Sequence, residues 1–77
     1  MELTVECYAG YRADERPQRF SFPGEAGARM YEVQEVLDQW YGVGYRCFKV
    51  RAQDGNIYII RHQEVEDRWL LDSFRRA

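Results

Sequence analysis

The chain has 77 residues, a net charge of −2 and a hydrophobic share of 45%. That composition excludes a disordered polyelectrolyte, and no apolar run approaches the roughly 18 residues of a membrane-spanning helix. Length allows one domain, residues 1–77, and a chain this short buries only about 60–65% of its unfolded surface.

Dense side chains must therefore supply the core. Four Phe, six Tyr and two Trp make the chain 16% aromatic. Each buried ring contributes about 4–6 kcal/mol of gross burial before chain entropy is subtracted. The margin is thin enough to make a homodimer an expectation.

Residues 2–8 alternate. Leu3, Val5 and Cys7 stand on one side, and Glu2, Thr4, Glu6 and Tyr8 on the other, the mark of a half-buried strand. This acidic start is not a signal peptide, so the cytoplasm is the expected compartment. Residues 9–18 are polar and contain Gly10 and Pro17, which reads as a loop. Phe20 and Phe22 flank Ser21 in a short strand that Pro23-Gly24 stops, with a turn over 24–28.

The segment 29–41 carries two patterns. Val33, Val36, Leu37 and Trp40 fit a helical stripe, and by pattern alone a helix is slightly ahead. No Ser, Thr, Asp or Asn caps its start. Tyr31 and Val33 also alternate as a strand, and a one-residue shift at Glu35 lets Val36, Asp38 and Trp40 continue it, as a β-bulge does.

Residues 45–52 and 56–62 flank Asp54-Gly55, a strong hairpin signal. A two-residue loop places Ala52 opposite Ile57, Arg51 opposite Tyr58, Lys49 opposite Ile60 and Cys47 opposite His62. Phe48, Val50, Ala52, Ile57 and Ile59 then form the core face. Residues 63–67 are a charged turn, and 68–74 form a last strand with Trp69 and Leu71 on one face. The sum is a mostly β, antiparallel meander of five to six strands, curled into a small barrel or half-barrel with room for one short helix.

The run Tyr31-Glu32-Val33-Gln34-Glu35-Val36-Leu37-Asp38-Gln39-Trp40 is followed by Tyr45 to Val50, Asp54-Gly55, Tyr58 to Arg61 and Trp69-Leu70-Leu71. This series resembles a pattern in small bacterial β proteins of unknown function, over about residues 20–72. The resemblance implies an all-β fold with 29–41 as a long bulged strand. It implies no activity and no catalytic residues.

Candidate chemistry is sparse. Cys47 and His62 face each other in the hairpin register above, but no orienting group or oxyanion hole accompanies them. Two Cys and one His are too few for a closed zinc site in one chain, and the sequence calls for no cofactor or metal. The expectation is a protein that is not an enzyme.

The hairpin 45–62 is the better candidate. Arg46, Lys49, Arg51 and Arg61 against Asp54 give it a local charge of +3, interleaved with Tyr45, Tyr58 and His62. Residues 1–38 carry a net −4. Trp40 and Tyr41, with Tyr8 and Tyr11, are surplus rings of the kind that anchor interfaces. The leading expectation is a protein-interaction module that binds a partner or itself through Tyr45, Lys49, Arg51, Tyr58, Arg61, His62, Trp40 and Tyr41. The alternative is a single-stranded nucleic-acid-binding barrel that uses the basic hairpin, against which the acidic balance of the whole chain counts.

Overall fold

The computed structural model describes residues 1–7, 16–24 and 29–76. Tyr8, Tyr11 and most of the loop and turn expected over 9–18 and 24–28 lie outside the described residues. Six antiparallel strands follow in chain order: β1 (Glu2–Cys7), β2 (Pro17–Ser21), β3 (Tyr31–Gly42), β4 (Tyr45–Ala52), β5 (Ile57–Gln63) and β6 (Arg68–Arg75). Each pairs with the next, and β6 returns to β1, so the sheet closes as a barrel. The expected loop over 9–18 ends early, because Pro17 and Gln18 already belong to β2.

The segment with two patterns is a strand. β3 pairs with β4 through eight residue pairs, and its register shifts twice, between Val33 and Glu35 and between Val36 and Asp38. The first shift is the one the alternation predicts. The second adds Leu37 as an extra residue and turns Asp38 and Trp40 outward, beside Lys49 and Cys47. A stripe at helical spacing is what two bulges produce, since each inserted residue stretches a period of two toward three.

The β4–β5 hairpin corrects the expected register. Gly55 N–H donates to Ala52 O at 2.9 Å, Ala52 N–H donates to Asn56 O at 3.1 Å, and Gly55 has φ +85°. The loop therefore has three residues, 53–55, ending in a left-handed glycine, rather than the two-residue turn the dipeptide suggests. One extra loop residue slides β5 by one position. Arg51 faces Ile57, Val50 faces Tyr58, Phe48 faces Ile60, Cys47 faces Arg61 and Arg46 faces His62. A slip of one residue exchanges the two faces of a strand. Tyr58 and Ile60 are thus buried, while Ile57 and Ile59 lie on the outer face, only partly covered.

The interior contains Leu3, Phe20, Phe48, Val50, Ala52, Tyr58, Ile60 and Trp69, with Val5, Cys7, Phe22, Tyr31, Val33, Val36 and Leu71 packed against them. Phe20 is its hub: it stacks on Tyr31 at 5.5 Å and meets Tyr58 edge-on at 5.0 Å. Trp69 and Leu71 share the inner face as expected. A register shift between Ile59 and Ile60 then brings Phe74 inward onto Tyr58, at 5.1 Å.

The seams differ in length. β1 meets β6 through two residue pairs, Glu2–Leu70 and Leu3–Trp69, and β2 meets β3 through two, Arg19–Glu32 and Phe20–Tyr31. Arginines span both outside. Arg19 reaches Glu6 of β1 at 2.9 Å and Glu32 of β3 at 3.1 Å. Arg68 reaches Glu2 of β1 at 3.3 Å and Glu66 at 3.2 Å.

Candidate interaction surface at one end of the barrel

Two turns meet at the end of the barrel where β3 and β5 finish. The β3–β4 turn is Val43-Gly44, closed by Gly42 facing Tyr45, and Gly44 takes φ +80°. A Cβ on Gly42 would lie 2.6 Å from the outer end of the Tyr45 ring, so a larger residue there would displace that side chain. The β5–β6 turn is 64–67, closed by Gln63 facing Arg68, with Asp67 at φ 52°. Asp tolerates that left-handed conformation better than most residues. The Glu64 N–H donates to Gly44 O at 2.9 Å and holds the two turns side by side.

Each turn carries an apolar tip in water. Val43 is fully exposed and Val65 is 91% exposed, while Tyr41 beside them is 77% exposed. Trp40, on the next position of β3, is 39% exposed. Below the tips lies a cleft of about 430 Å³, whose walls include Trp40, Tyr41, Phe48, Arg46, Arg16 and Glu64. Arg46 lies over the Phe48 ring at 5.6 Å, with its Nε 3.7 Å from Glu64. Arg16 at the rim has no ion pair among the described residues.

His62 closes the barrel beneath this end. Its ring lies flat on Trp69, 4.4 Å between centroids and 14° between planes. Its Nε2 is 2.9 Å from Asp67 Oδ1. An ionised carboxylate only accepts, so Nε2 carries the proton. Nδ1 is buried without a hydrogen-bond partner among the described residues. His62 stands on the inner face and Cys47 on the outer one, so the expected Cys47–His62 pair does not form. Cys47 is instead buried outside the barrel beside Arg61. Burial raises its thiol pKa, Asp72 raises it further, and Arg61 opposes them. A thiol so placed is held protonated and is a poor nucleophile.

The hairpin face is also rearranged. Tyr58 is 2% exposed and leaves the outer surface, so Arg51 does not face it as expected. Arg51 instead pairs with Glu35, and Arg61 pairs with Asp72 at 3.2 Å. Lys49 faces Ile59, not Ile60, with Asp38 on its other side. Tyr45 sits half-buried at the turn opposite Gln63. Of the expected contact residues, the structure brings Trp40, Tyr41, Tyr45 and His62 to one end of the barrel. It leaves Lys49, Arg51 and Arg61 on the outer wall, with the two arginines neutralised by carboxylates.

Val43, Val65, Arg16 and Glu64 belong to the end surface, with buried Phe48 lining the cleft, and the sequence pattern did not mark any of them as contact residues. A signal was present for Val65, the one apolar residue in the charged run 63–68. Among the described residues no group of three His, Cys, Asp or Glu side chains converges as metal ligands. No protein-family model, curated protein or solved structure matches this chain.

Proposed function

We propose that this chain is a non-catalytic protein-interaction module that binds through the end of the barrel bearing Trp40, Tyr41, Val43 and Val65. The observation that carries the reading is the exposure of four apolar side chains at one end of the barrel: Trp40 and Tyr41 near the end of β3, and Val43 and Val65 on two turns that a backbone hydrogen bond ties together. Single exposed apolar residues are ordinary, but a contiguous group rimmed by charge marks an interaction site. Trp and Tyr are the side chains that most often dominate binding energy. The cleft beneath them gives a partner side chain a place to enter, and the turns are braced by glycines and a hydrogen bond rather than left free.

The nucleic-acid alternative draws less support. It needs uncompensated cations beside open rings along the hairpin. Arg46, Arg51 and Arg61 each have a carboxylate partner, and the ring expected between them points inward.

The test is affinity capture from the source cell with the wild-type chain and with Trp40→Ser/Tyr41→Ser, both checked for native circular dichroism. Proteins retained by the wild type should be lost by the double variant. Proteins retained equally by both would reject this surface as the binding site.

A further inference from the structure

We infer that the barrel end is self-complementary, so that Val65 of one copy enters the Trp40–Tyr41–Phe48 cleft of a second copy while receiving that copy's Val65 in return. The inference rests on the proposed function and names its partner.

The knob, Val65, stands 91% exposed at the tip of the β5–β6 turn, flanked by Glu64 and Glu66. The turn therefore presents one apolar side chain between two carboxylates, each paired within its own chain, Glu64 with Arg46 at 3.7 Å and Glu66 with Arg68 at 3.2 Å. The cleft offers the opposite chemistry: three rings form its apolar walls, and Arg16 and Arg46 supply two cations against the single acid Glu64. Arg16 brings a charge to the rim that no described carboxylate answers, and a carboxylate arriving beside Val65 would be shared between Arg16 and the arginine it already pairs with.

Placement decides the symmetry. Glu64 is both a wall of the cleft and the neighbour of the knob, so knob and cleft lie side by side on one end. A surface carrying both halves of a contact can satisfy both at once only by meeting its own copy across a two-fold axis. Had they stood at opposite ends, the same chemistry would build an open chain. Val43, tied to the knob's turn through Gly44 O, adds apolar surface in the same plane.

Size sets the strength. The molecule's shorter dimensions are 24 × 23 Å. An end of that extent buries on the order of 800 Å² over both copies, below the roughly 1,200 Å² at which stable specific interfaces begin and within the weak, transient class. The dimer is therefore weak, and its charged rim makes it weaken as salt rises.

The test is sedimentation equilibrium of the full chain from about 10 μM to about 2 mM, the range a small interface requires. The average mass should climb from one chain toward two. Val65→Asp and Trp40→Ser, both at exposed positions, should each move the association midpoint up at least tenfold. An equimolar mixture of the two variants should recover part of the association, because one intact knob then meets one intact cleft. A wild type that stays monomeric throughout would overturn the inference. If capture of another protein still depended on Trp40 and Tyr41, the binding-module reading would survive that failure. Association unaffected by either substitution, or variants that gain nothing on mixing, would equally overturn the two-fold contact.

Discussion

The Tyr58 hydroxyl donates to Asp54 Oδ2 at 2.5 Å, joining a ring in the centre of the barrel to the turn that begins its own strand. Asp54 also accepts from the Asn56 backbone N–H at 3.0 Å and from its side-chain amide at 3.2 Å. One carboxylate thus fixes the loop while satisfying a buried phenol. Removing the hydroxyl with Tyr58→Phe should cost about 1–2 kcal/mol, between the net value of an ordinary hydrogen bond and that of a bond to a charged group. Asp54→Ala should cost more, about 2–3 kcal/mol, because it strips the Asn56 N–H as well as the acceptor of the Tyr58 hydroxyl. Urea denaturation with unchanged m-values checks both. Equal midpoints for Tyr58→Phe and wild type would mean that the bond adds nothing net.

The same pair sets a pH dependence at each extreme. Burial pushes the Tyr58 phenol well above its ordinary value of 10, and the Asp54 bond adds to the rise. Its contribution to stability is therefore full below pH 10 and is lost as pH climbs from there through the folded-state value. For Asp54, burial acts to raise the carboxyl pKa, but the bonds from Tyr58 and Asn56 outweigh it and hold the value below 3.8. That contribution is full above the unfolded value and is lost as pH falls through the folded one. In thermal melts, the advantage of wild type over Tyr58→Phe should shrink steadily above pH 10. A constant gap from pH 9 to pH 12 would contradict the assignment.

Gly55 sets the register on which the face assignments depend. Its φ of +85° lies in the left-handed region, and a Cβ there would meet no atom within 4 Å. The cost of Gly55→Ala is therefore one of backbone conformation alone, about 1–2 kcal/mol. Gly55→Asn should recover part of the loss, since Asn tolerates that region better than Ala. Chemical denaturation of the three proteins gives the order directly, and Ala matching Gly would argue against the left-handed turn.

Arg19 spans the weaker side of the barrel, where β2 holds β3 through two residue pairs. Replacing it with Gln removes the ionic links to Glu6 and Glu32 together. Amide hydrogen exchange should then quicken in β1 and β2 and stay unchanged in β4 and β5, because short seams open locally before the whole barrel does. Uniform acceleration across all strands would show instead that Arg19 supports global stability.

Much of this architecture was legible in the residues. The alternation of Leu3, Val5 and Cys7, the Asp54-Gly55 signal and the Trp69–Leu71 face each read out a strand and its side. The errors share one physical origin: pattern fixes faces only up to register, and a single inserted residue reverses everything after it. Asp54-Gly55 fits a two-residue or a three-residue loop equally well on local chemistry. The choice rests on Tyr58 reaching Asp54 from inside the core, a contact between positions that the local pattern does not couple. The second bulge at Leu37 escaped for the same reason, and with it the outward placement of Trp40 beside Cys47. The surplus of rings did forecast exposed aromatics, and Trp40, Tyr41 and Phe74 are exposed. Which turns stand beside them is a matter of closure, set by a backbone bond from Glu64 to Gly44.

Cys47 gives the sharpest check on the face assignment. It is 3% exposed on the outer wall, whereas His62 lies within, stacked on Trp69. In a Cys7→Ser background, iodoacetamide should therefore modify native Cys47 far more slowly than the urea-unfolded chain at the same pH. His62→Ala should leave the native rate unchanged after correction for any loss of stability, because no imidazole reaches the sulfur. The pH profile should rise only above the ordinary thiol value of 9, as burial and Asp72 demand. A rate that peaks near neutral pH and collapses in His62→Ala would require the thiol and the imidazole to share a face. That is the pairing of the two-residue loop, and it would return Tyr58 and Ile60 to the surface and put Ile57 and Ile59 in the core in their place.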